Sequence, residues 1–451
     1  MRGLLPFISR GIGWKLGSDL LGRVMQYILL WVAARSLGRA EFGDFTFALS
    51  TGYMLAQVAD FGVQLFVQRE LARLAVPAAS SPPYFSDVHA AGKLVGGGMI
   101  IKAALSATAL LLIFTLIWLE PVGNKVPLLL IGLSLVLSTG LDFLSYCFRA
   151  LRRLRDEALV TLAARAANLA VGVGLLVLGA GIAGLALASN LAMGLALILA
   201  YRRLSTYVRP VWRIDTAFWW RSARQPAAVG IGIVFSIISF RVDNLLIPPF
   251  LGREALGDYN LAYKLFEPSL LVPSALLAAL FPLLAQAGGL ASRAGAQDGA
   301  QWGFRPLLGH AMGWLFGFGI LATASLYIVA VPLISLLYGQ QYSQSAPILQ
   351  VLALCCLPMY LNYGLTHVLI AVDRPQLYAL FTFGALVVNV SANVALIPAI
   401  GTMGAAIATL AAEMALFALC SLSVVRLLPA FAPAPMPLAG SAAGRTLEGS
   451  P

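Results

Sequence analysis

The sequence predicts an all-α polytopic membrane protein with about 12 transmembrane helices arranged in two six-helix halves. Composition is the first indication, because 60% of the 451 residues are hydrophobic and only 11% are charged, whereas soluble domains are about 45–50% apolar and about 25% charged. The apolar residues also form runs long enough to cross a bilayer, which takes roughly 20 residues. Finally, a motif from the first half of the chain recurs in the second.

The apolar runs are separated by short segments rich in glycine, proline and charge, such as residues 77–83, 120–127 and 288–301. Such segments cannot remain in lipid without partners for their backbone groups, so they are expected to be aqueous loops. The runs predict twelve membrane spans, at residues 12–36, 42–68, 94–118, 127–148, 157–179, 182–201, 226–249, 255–287, 307–338, 344–370, 376–397 and 402–427.

The repeated motif reads LGRAEFGDFTFA at residues 37–48 and LGREALGDYNLA at residues 251–262, an offset of 214. A second pair, GIAGLALA at 181–188 and GTMGAAIA at 401–408, has an offset of 220. Each offset corresponds to six helices, an even number, so the two halves have the same orientation. A pseudo-two-fold axis along the membrane normal is therefore predicted, as in transporters with parallel repeats.

The repeated turn is expected to be structural rather than to contact substrate. Its glycines allow positive φ between two helices. Arg39 with Asp44, or Arg253 with Asp258, is expected to pin each turn by an ion pair.

The predicted domains are an N-terminal bundle at 1–205, a linker at 206–225, a C-terminal bundle at 226–428 and a tail at 429–451. The tail has little apolar bulk and is expected to be disordered. Twenty of the 30 lysines and arginines fall on one side of this topology, which predicts that the linker and both termini are cytoplasmic. The net charge of +11 is thus a consequence of topology, and no nucleic-acid partner is expected.

Charges in the first span also argue against a secretory signal peptide. The cysteines have no paired spacing, so no disulfide, metal cluster or cofactor is predicted; they are Cys147, Cys355, Cys356 and Cys420.

Four stretches of the sequence carry a family resemblance. They are GIGWKLGSDLLGRVMQYILLWVAARSLGRAEFGDFTFALS, ADFGVQLFVQRELAR, RVDNLLIPPFLGREALGDYNLAYKL and LYGQQYSQSAPILQVLA. The chain resembles the polysaccharide transporter family, the flippases of lipid-linked oligosaccharide repeat units, to about residue 428. This family shares a superfamily with the multidrug and toxin exporters and the lipid II flippases. Twelve spans fit the polysaccharide flippases, whereas lipid II flippases typically have fourteen.

The resemblance implies that the protein moves an undecaprenyl-pyrophosphate-linked oligosaccharide to the periplasmic leaflet of the bacterial inner membrane, by alternating access coupled to an ion gradient. The glycan would belong to lipopolysaccharide, capsule or exopolysaccharide. The implied partners are this substrate, membrane lipids, a glycan polymerase and a chain-length regulator. A cation-coupled drug exporter of the same superfamily and a membrane glycosyltransferase or polymerase remain alternatives. The sequence has no G-x-x-x-x-G-K-[ST] loop, so direct ATP drive is not expected.

Charged and polar residues within the spans are the candidate site residues, because a charge in the membrane is costly and is usually functional. Lysine and arginine would hold the pyrophosphate, and polar faces would bind sugar hydroxyls. The predicted substrate-binding residues are Lys15, Arg23, Gln26, Gln57, Arg165, Arg241 and Lys264, and the predicted ion-coupling residues are Asp19, Asp60 and Glu267. No catalytic or metal-binding residue is predicted.

Some of these residues have an alternative interpretation. Lys15, Asp19 and Arg23 share one helical face and could form a self-neutralising ladder instead of lining the path. Asp60 could serve packing or an ion pair. His367 is expected to be a hydrogen-bonded structural residue, with a proton relay as the alternative.

Overall fold

The computed structural model describes residues 4–58, 63–76, 84–85, 87–119, 125–214, 227–277, 280–281, 284, 304–372 and 374–427. Its helices are α1 (Leu4–Val58), α2 (Val63–Leu74), α3 (Val88–Leu119), α4 (Val126–Ala150), α5 (Leu154–Val177), α6 (Gly181–Ser205), α7 (Ala227–Ser239), α8 (Asp243–Phe266), α9 (Phe304–Tyr338), α10 (Ser345–Leu354), α11 (Cys356–Ala371), α12 (Pro375–Ile400) and α13 (Thr402–Leu427). Short 3-10 turns lie at Glu267–Leu270 and Gln340–Tyr342. Two-residue strands β1 (Ala75–Val76) and β2 (Tyr84–Phe85) pair antiparallel. The tail predicted to be disordered, residues 429–451, lies outside the described residues.

The described helices account for the predicted crossings. Nine described segments are long and apolar enough to span a membrane, and one of them, Gly230–Leu277, is broken at Gly252 and so holds two crossings. Helix α1 has 55 residues with a break at Gly38, and its length of about 80 Å allows two more. The chain is therefore an all-α multi-pass membrane protein, as the sequence predicts.

Both pairs of repeated motifs have matching backbones. Gly38 and Gly252, which are 214 residues apart, have φ of 74° and 81° and interrupt α1 and α8 at the same place. Gly181 and Gly401 likewise have φ of 54° and 70° at the start of the last helix of each half. Positive φ is readily adopted only by glycine, so the positive φ predicted for the glycines of the repeated turn is confirmed at Gly38 and Gly252.

The two repeated turns, residues 37–48 and 251–262, lie against each other and are called the paired turns below. Arg39 forms an ion pair with Asp258, and Arg253 lies 3.2 Å from Asp44. These ion pairs join the two turns to each other, whereas the sequence suggested pairs within each turn. The physical reason is the pseudo-two-fold axis, which brings the arginine of one copy beside the aspartate of the other.

The backbones of the paired turns are in direct contact at their second glycines. A Cβ atom on Gly43 would overlap the carbonyl of Arg253, and one on Gly257 would overlap the carbonyl of Arg39. Glycine is required at both positions because no side chain fits between the two turns.

Further hydrogen bonds join the halves near the paired turns. The amide of Asn260 donates to the Thr46 hydroxyl over 3.1 Å, and these residues occupy the same position in the two copies. The Tyr342 hydroxyl donates to the carbonyl of Ala34 over 3.0 Å. The Trp31 indole N–H donates to a carbonyl of α9 over 2.8 Å.

The apolar cores show where the two halves are in contact and where they are apart. The largest cluster includes Ala33, Phe42, Tyr259 and Tyr342, so it contains residues of both halves around the paired turns. At the opposite ends of the helices, each half has a core of its own. The halves are thus joined at the paired turns and have separate cores at the other side.

Candidate functional site

A group of charged and aromatic residues lies where the C-terminal half faces α1. This junction cluster consists of Arg241, Lys264, Glu267, Tyr53 and Tyr263. The Glu267 carboxylate accepts from Arg241 over 2.6 Å and from Lys264 over 2.8 Å. The Arg241 guanidinium lies 5.5 Å from the ring of Tyr53 and 5.6 Å from that of Tyr263. Two cations therefore share one carboxylate, so these five side chains together carry one more positive than negative charge.

Local structure positions these side chains. Arg241 lies in the turn between α7 and α8, and Lys264 and Glu267 lie three residues apart where α8 passes into a 3-10 turn. Because residues three apart on a helix are neighbours, Lys264 pairs with Glu267, and Glu267 also accepts a hydrogen bond from Arg241.

Two hydrogen-bond donors of the junction cluster are unsatisfied. Arg241 Nη1 and the Tyr263 hydroxyl are buried and have no partner among the described residues. An unpaired buried donor costs about 1–3 kcal/mol, so an oxyanion placed here would gain from satisfying both. The side chains of Arg241, Lys264 and Glu267 retain 14%, 16% and 23% exposure, which leaves them accessible to a ligand.

The N-terminal half adds polar residues to this region. Tyr27 of α1 interacts electrostatically with Glu267 and Arg241 and with Arg23. Arg23 and Gln26 are exposed on α1. The structure therefore brings the predicted residues Arg241, Lys264 and Glu267 together, with Arg23 within electrostatic range of the same tyrosine.

The other predicted residues have different surroundings. Arg165 is half-buried and its guanidinium packs on Gly22 of α1, within the N-terminal half. Asp19 is also half-buried. Three predicted site residues have side chains that lie outside the described residues, namely Lys15, Gln57 and Asp60.

A second polar site, which the sequence analysis missed, is buried inside the C-terminal half. The Asp243 carboxylate, 1% exposed, accepts hydrogen bonds from Tyr259, from Thr409 over 3.1 Å and from Asn393 over 2.7 Å. Asn393 also donates to the Asn389 side-chain oxygen, and its own amide oxygen has no partner among the described residues. Carboxylate, amide and hydroxyl oxygens are ligands of hard cations, so these residues could hold one. The sequence feature that could have predicted this site is the pair Asn389 and Asn393, which lie four residues apart in an otherwise apolar helix.

Two other polar residues of this half are engaged locally. Glu413 accepts from the Asn362 amide over 2.7 Å. His367 Nδ1 lies 2.7 Å from the carbonyl of Tyr363, and its ring stacks on that tyrosine. This geometry favours the structural role expected for His367. Among the described residues, no group of three or more histidine, cysteine or acidic side chains could hold a metal ion.

Comparison with known proteins assigns the chain to a family. The profile of a family described as polysaccharide biosynthesis protein matches residues 8–287. No curated protein sequence matches the chain.

Solved structures are similar over most of the chain. A multidrug resistance MATE family transporter of the MOP superfamily in an inward-facing conformation has 14% identity and a TM-score of 0.68, covering 90% of this chain and 94% of that one. The lipid II flippase MurJ in an inward closed conformation has 13% identity and a TM-score of 0.70, covering 91% and 87%. The Vibrio cholerae MATE transporter VcmN in its bent form has 14% identity and a TM-score of 0.60, covering 95% and 98%.

These likenesses confirm the predicted two-half membrane fold and the predicted family. The chain belongs to the polysaccharide biosynthesis protein family, and it has the fold of the transporters and flippases of the MOP superfamily.

Proposed function

We propose that this protein flips an undecaprenyl-pyrophosphate-linked oligosaccharide from the cytoplasmic to the periplasmic leaflet of the bacterial inner membrane. The product would enter synthesis of lipopolysaccharide, capsule or exopolysaccharide. Family membership supports a glycan cargo, and the fold supports transport. The observation that carries the proposal is the junction cluster, in which two cations share one carboxylate and two buried donors have no partner among the described residues.

The chemistry of the junction cluster suits a pyrophosphate. The planar guanidinium of Arg241 can donate two N–H groups to phosphate oxygens, and the Lys264 ammonium adds a compact charge. Glu267 holds the two cations side by side before substrate arrives. Sugar hydroxyls can bond to exposed polar groups of α1 such as Gln26. The isoprenoid chain remains in the bilayer throughout.

The way in which the halves meet supports alternating access. The two bundles, proposed at residues 1–205 and 226–428 with a linker at 206–225, touch at the paired turns and have separate cores on the other side. Basic loops support cytoplasmic termini, so the paired turns would form the periplasmic closure. Rocking the halves would separate the paired turns and release the headgroup outside, where a polymerase and chain-length regulator could act on it.

An ion gradient would drive the rocking. Asp19, Asp60 and Glu267 remain predicted coupling residues. The buried oxygen ligands around Asp243 add a further candidate, because binding a cation there would link the positions of α8, α12 and α13.

Substitution of Arg241 tests the proposal. Arg241→Ala removes the guanidinium, with its two parallel N–H donors and the unsatisfied Nη1. Glycan export in cells lacking the native flippase should therefore fall at least tenfold. Arg241→Lys keeps the positive charge but cannot donate two parallel N–H groups to a phosphate, so it should retain partial export. Arg374→Ala, which changes an exposed arginine in a loop, is the matched control and should export normally. Membrane levels of each variant are measured by immunoblot.

The same strains separate the alternatives. Full export by Arg241→Ala at normal membrane level would refute the assignment of the pyrophosphate site. The similarity of the fold to MATE transporters supports a drug exporter as the alternative. If the protein is a drug exporter, its expression in these cells should change their drug susceptibility without restoring glycan export.

A further inference from the structure

Helix α4 is enclosed by its neighbours along nearly its whole length and has one opening. From Pro127 to Ala150 every residue is buried or half-buried except Asp142, which is exposed. Asp142 lies about two turns before the end of this membrane helix. A carboxylate that faces lipid at such a position is costly, so Asp142 faces a space that water or a substrate can enter.

Tyr53 of α1 identifies this space. The Tyr53 side chain is 41% exposed and interacts electrostatically with Asp142, and its ring lies 5.5 Å from the Arg241 guanidinium of the other half. The neighbouring Gly52 packs on α4, because a Cβ atom there would overlap the side chain of Leu135. Asp142 therefore opens into the space between the halves, beside the junction cluster.

Asp142 belongs to a polar face of α4. Ser138, Asp142 and Tyr146 follow one another at intervals of four residues, so their side chains lie on the same face of the helix. The Ser138 hydroxyl donates to a carbonyl of its own helix over 2.7 Å. Tyr146 is half-buried and also interacts electrostatically with Tyr53. The face thus offers a carboxylate with a tyrosine one turn away and a second tyrosine from α1 nearby.

Tyr146 is held in place from the side away from Asp142. The Arg149 guanidinium lies 4.5 Å from the centre of the Tyr146 ring. Arg149 is itself fixed by an ion pair of 2.7 Å with Glu157, whose side chain is fully buried. The ring is therefore positioned before any ligand arrives, which lowers the entropy that a ligand loses on binding.

The chemistry of this face suits a sugar. An ionised carboxylate only accepts hydrogen bonds, so Asp142 attracts hydroxyl groups and repels a phosphate. The face of a tyrosine ring carries partial negative charge and can pack against the C–H groups of a sugar. The junction cluster, on the other side of Tyr53, has the opposite preference because its side chains carry one net positive charge.

We infer that Asp142, Tyr146 and Tyr53 bind the sugar residue next to the pyrophosphate of the lipid-linked oligosaccharide. Asp142 accepts hydrogen bonds from the sugar hydroxyls, and the two rings pack against the sugar. The inference rests on the proposed function, since it places this sugar beside the pyrophosphate held by Arg241. The opposite charges of the two sites orient the headgroup, with the pyrophosphate toward the C-terminal half and the sugar toward α4.

Binding of two probes to purified full-length protein tests the inference. One probe is a fluorescent polyprenyl-pyrophosphate oligosaccharide, and the other is the same polyprenyl pyrophosphate without sugar. Asp142→Ala should weaken binding of the first probe about tenfold, the effect of losing one hydrogen bond to a charged group, and should leave binding of the second unchanged. A folding defect would weaken both probes, so the comparison controls for it.

A matched pair of charge removals sharpens the test. Asp142→Asn should weaken binding of the sugar-bearing probe several-fold, because the amide keeps an acceptor but loses the charge. Asp87→Asn removes the same charge at the exposed start of α3, where the carboxylate accepts from the Ala90 N–H over 2.8 Å. Asparagine caps a helix as well as aspartate does, so Asp87→Asn should bind both probes normally.

Substitution of Tyr146 tests the aromatic part of the site. Tyr146→Phe keeps the ring and should bind both probes like the unsubstituted protein. Tyr146→Ala removes the ring and should weaken binding of the sugar-bearing probe alone.

Two results would overturn the inference, and they have different consequences for the proposed function. If Asp142→Ala binds both probes normally, or weakens both equally, while Arg241→Ala weakens both, the sugar site is wrong and the pyrophosphate site stands. If the unsubstituted protein binds neither probe, the proposed function fails and the inference fails with it.

Discussion

The two ends of the contact between the halves differ in how their charges are used. At the paired turns, Arg39 and Arg253 each pair with the aspartate of the other copy, and glycine backbones touch. Nearer the N-terminus of α1, Arg23 and Gln26 are exposed. The paired turns are built from residues that both halves share, and their charges neutralise each other. The opposite end keeps charge available to a ligand.

The same comparison applies to the junction cluster, where the halves differ at equivalent positions. With the offset of 214, Arg241 corresponds to Tyr27, Lys264 to Ser50 and Glu267 to Tyr53. At these three positions the C-terminal half has charged side chains and the N-terminal half has aromatic or hydroxyl side chains, and Tyr27 and Tyr53 interact electrostatically with Arg241 and Glu267. Repeated residues hold the halves together, and residues that differ between the repeats form the candidate site.

The largest effect is expected from adding a side chain between the paired turns. In Gly43→Ala the new methyl group would overlap the carbonyl of Arg253, so the turns cannot close and glycan export should be lost. A cysteine at Ala34, which is buried beside the turns, should then react with an impermeant reagent added outside the cell.

The control is Gly174→Ala, at a helical position where the added Cβ would meet no other side chain or backbone of the described residues within 4 Å. It should export normally, since alanine in a helix is favoured over glycine by about 0.5–1 kcal/mol. Normal export by Gly43→Ala would mean that close contact of the turns is not required.

A smaller effect is expected from the ion pairs of the paired turns. Asp258→Ala leaves Arg39 without its main partner and should lower export several-fold. Exchanging the charges, with Arg39→Asp and Asp258→Arg together, should restore part of the activity because an ion pair can form again. An exchange variant less active than both single variants would show that the pair does not stabilise the closed turns.

The smallest effect at neutral pH is expected from substituting Tyr342, which lies in the loop between α9 and α10, and the effect is on stability at alkaline pH. Burial raises the pKa of the Tyr342 hydroxyl above its ordinary value, which is about 10. The folded state therefore favours the neutral phenol, and this contribution to stability is complete below about pH 10 and is lost as pH rises further. Thermal unfolding of purified protein should show this loss, and Tyr342→Phe should reduce it. If Tyr342→Phe loses as much thermal stability at alkaline pH as the unsubstituted protein, the loss arises from other titratable groups.

The sequence predicted the fold because a membrane imposes simple rules on span length and loop polarity. It also located the paired turns, since Gly38 and Gly252 lie in a visible repeat. It could not identify which arginine pairs with which aspartate, because that depends on how the two copies meet in space. For the same reason it did not distinguish Arg241 and Lys264, which converge on Glu267, from Arg165, which packs on Gly22. The Asp243 network was missed because Asn393 and Thr409, two of its three partners, come from two helices distant in sequence.

The central claim, that the halves separate at the paired turns to release a lipid-linked oligosaccharide, is tested most directly by locking those turns. In a background with the four native cysteines changed to alanine, Arg39→Cys and Asp258→Cys are joined by a cleavable thiol crosslinker, and the protein is reconstituted with a fluorescent polyprenyl-pyrophosphate oligosaccharide. A control crosslink within the N-terminal half uses Arg203→Cys and Asp156→Cys, at positions whose native side chains lie 3.1 Å apart, and should leave translocation unchanged. The account predicts that translocation by the locked protein falls to the level of protein-free vesicles and returns when the crosslinker is cleaved. Translocation at the uncrosslinked rate by fully crosslinked protein would contradict it.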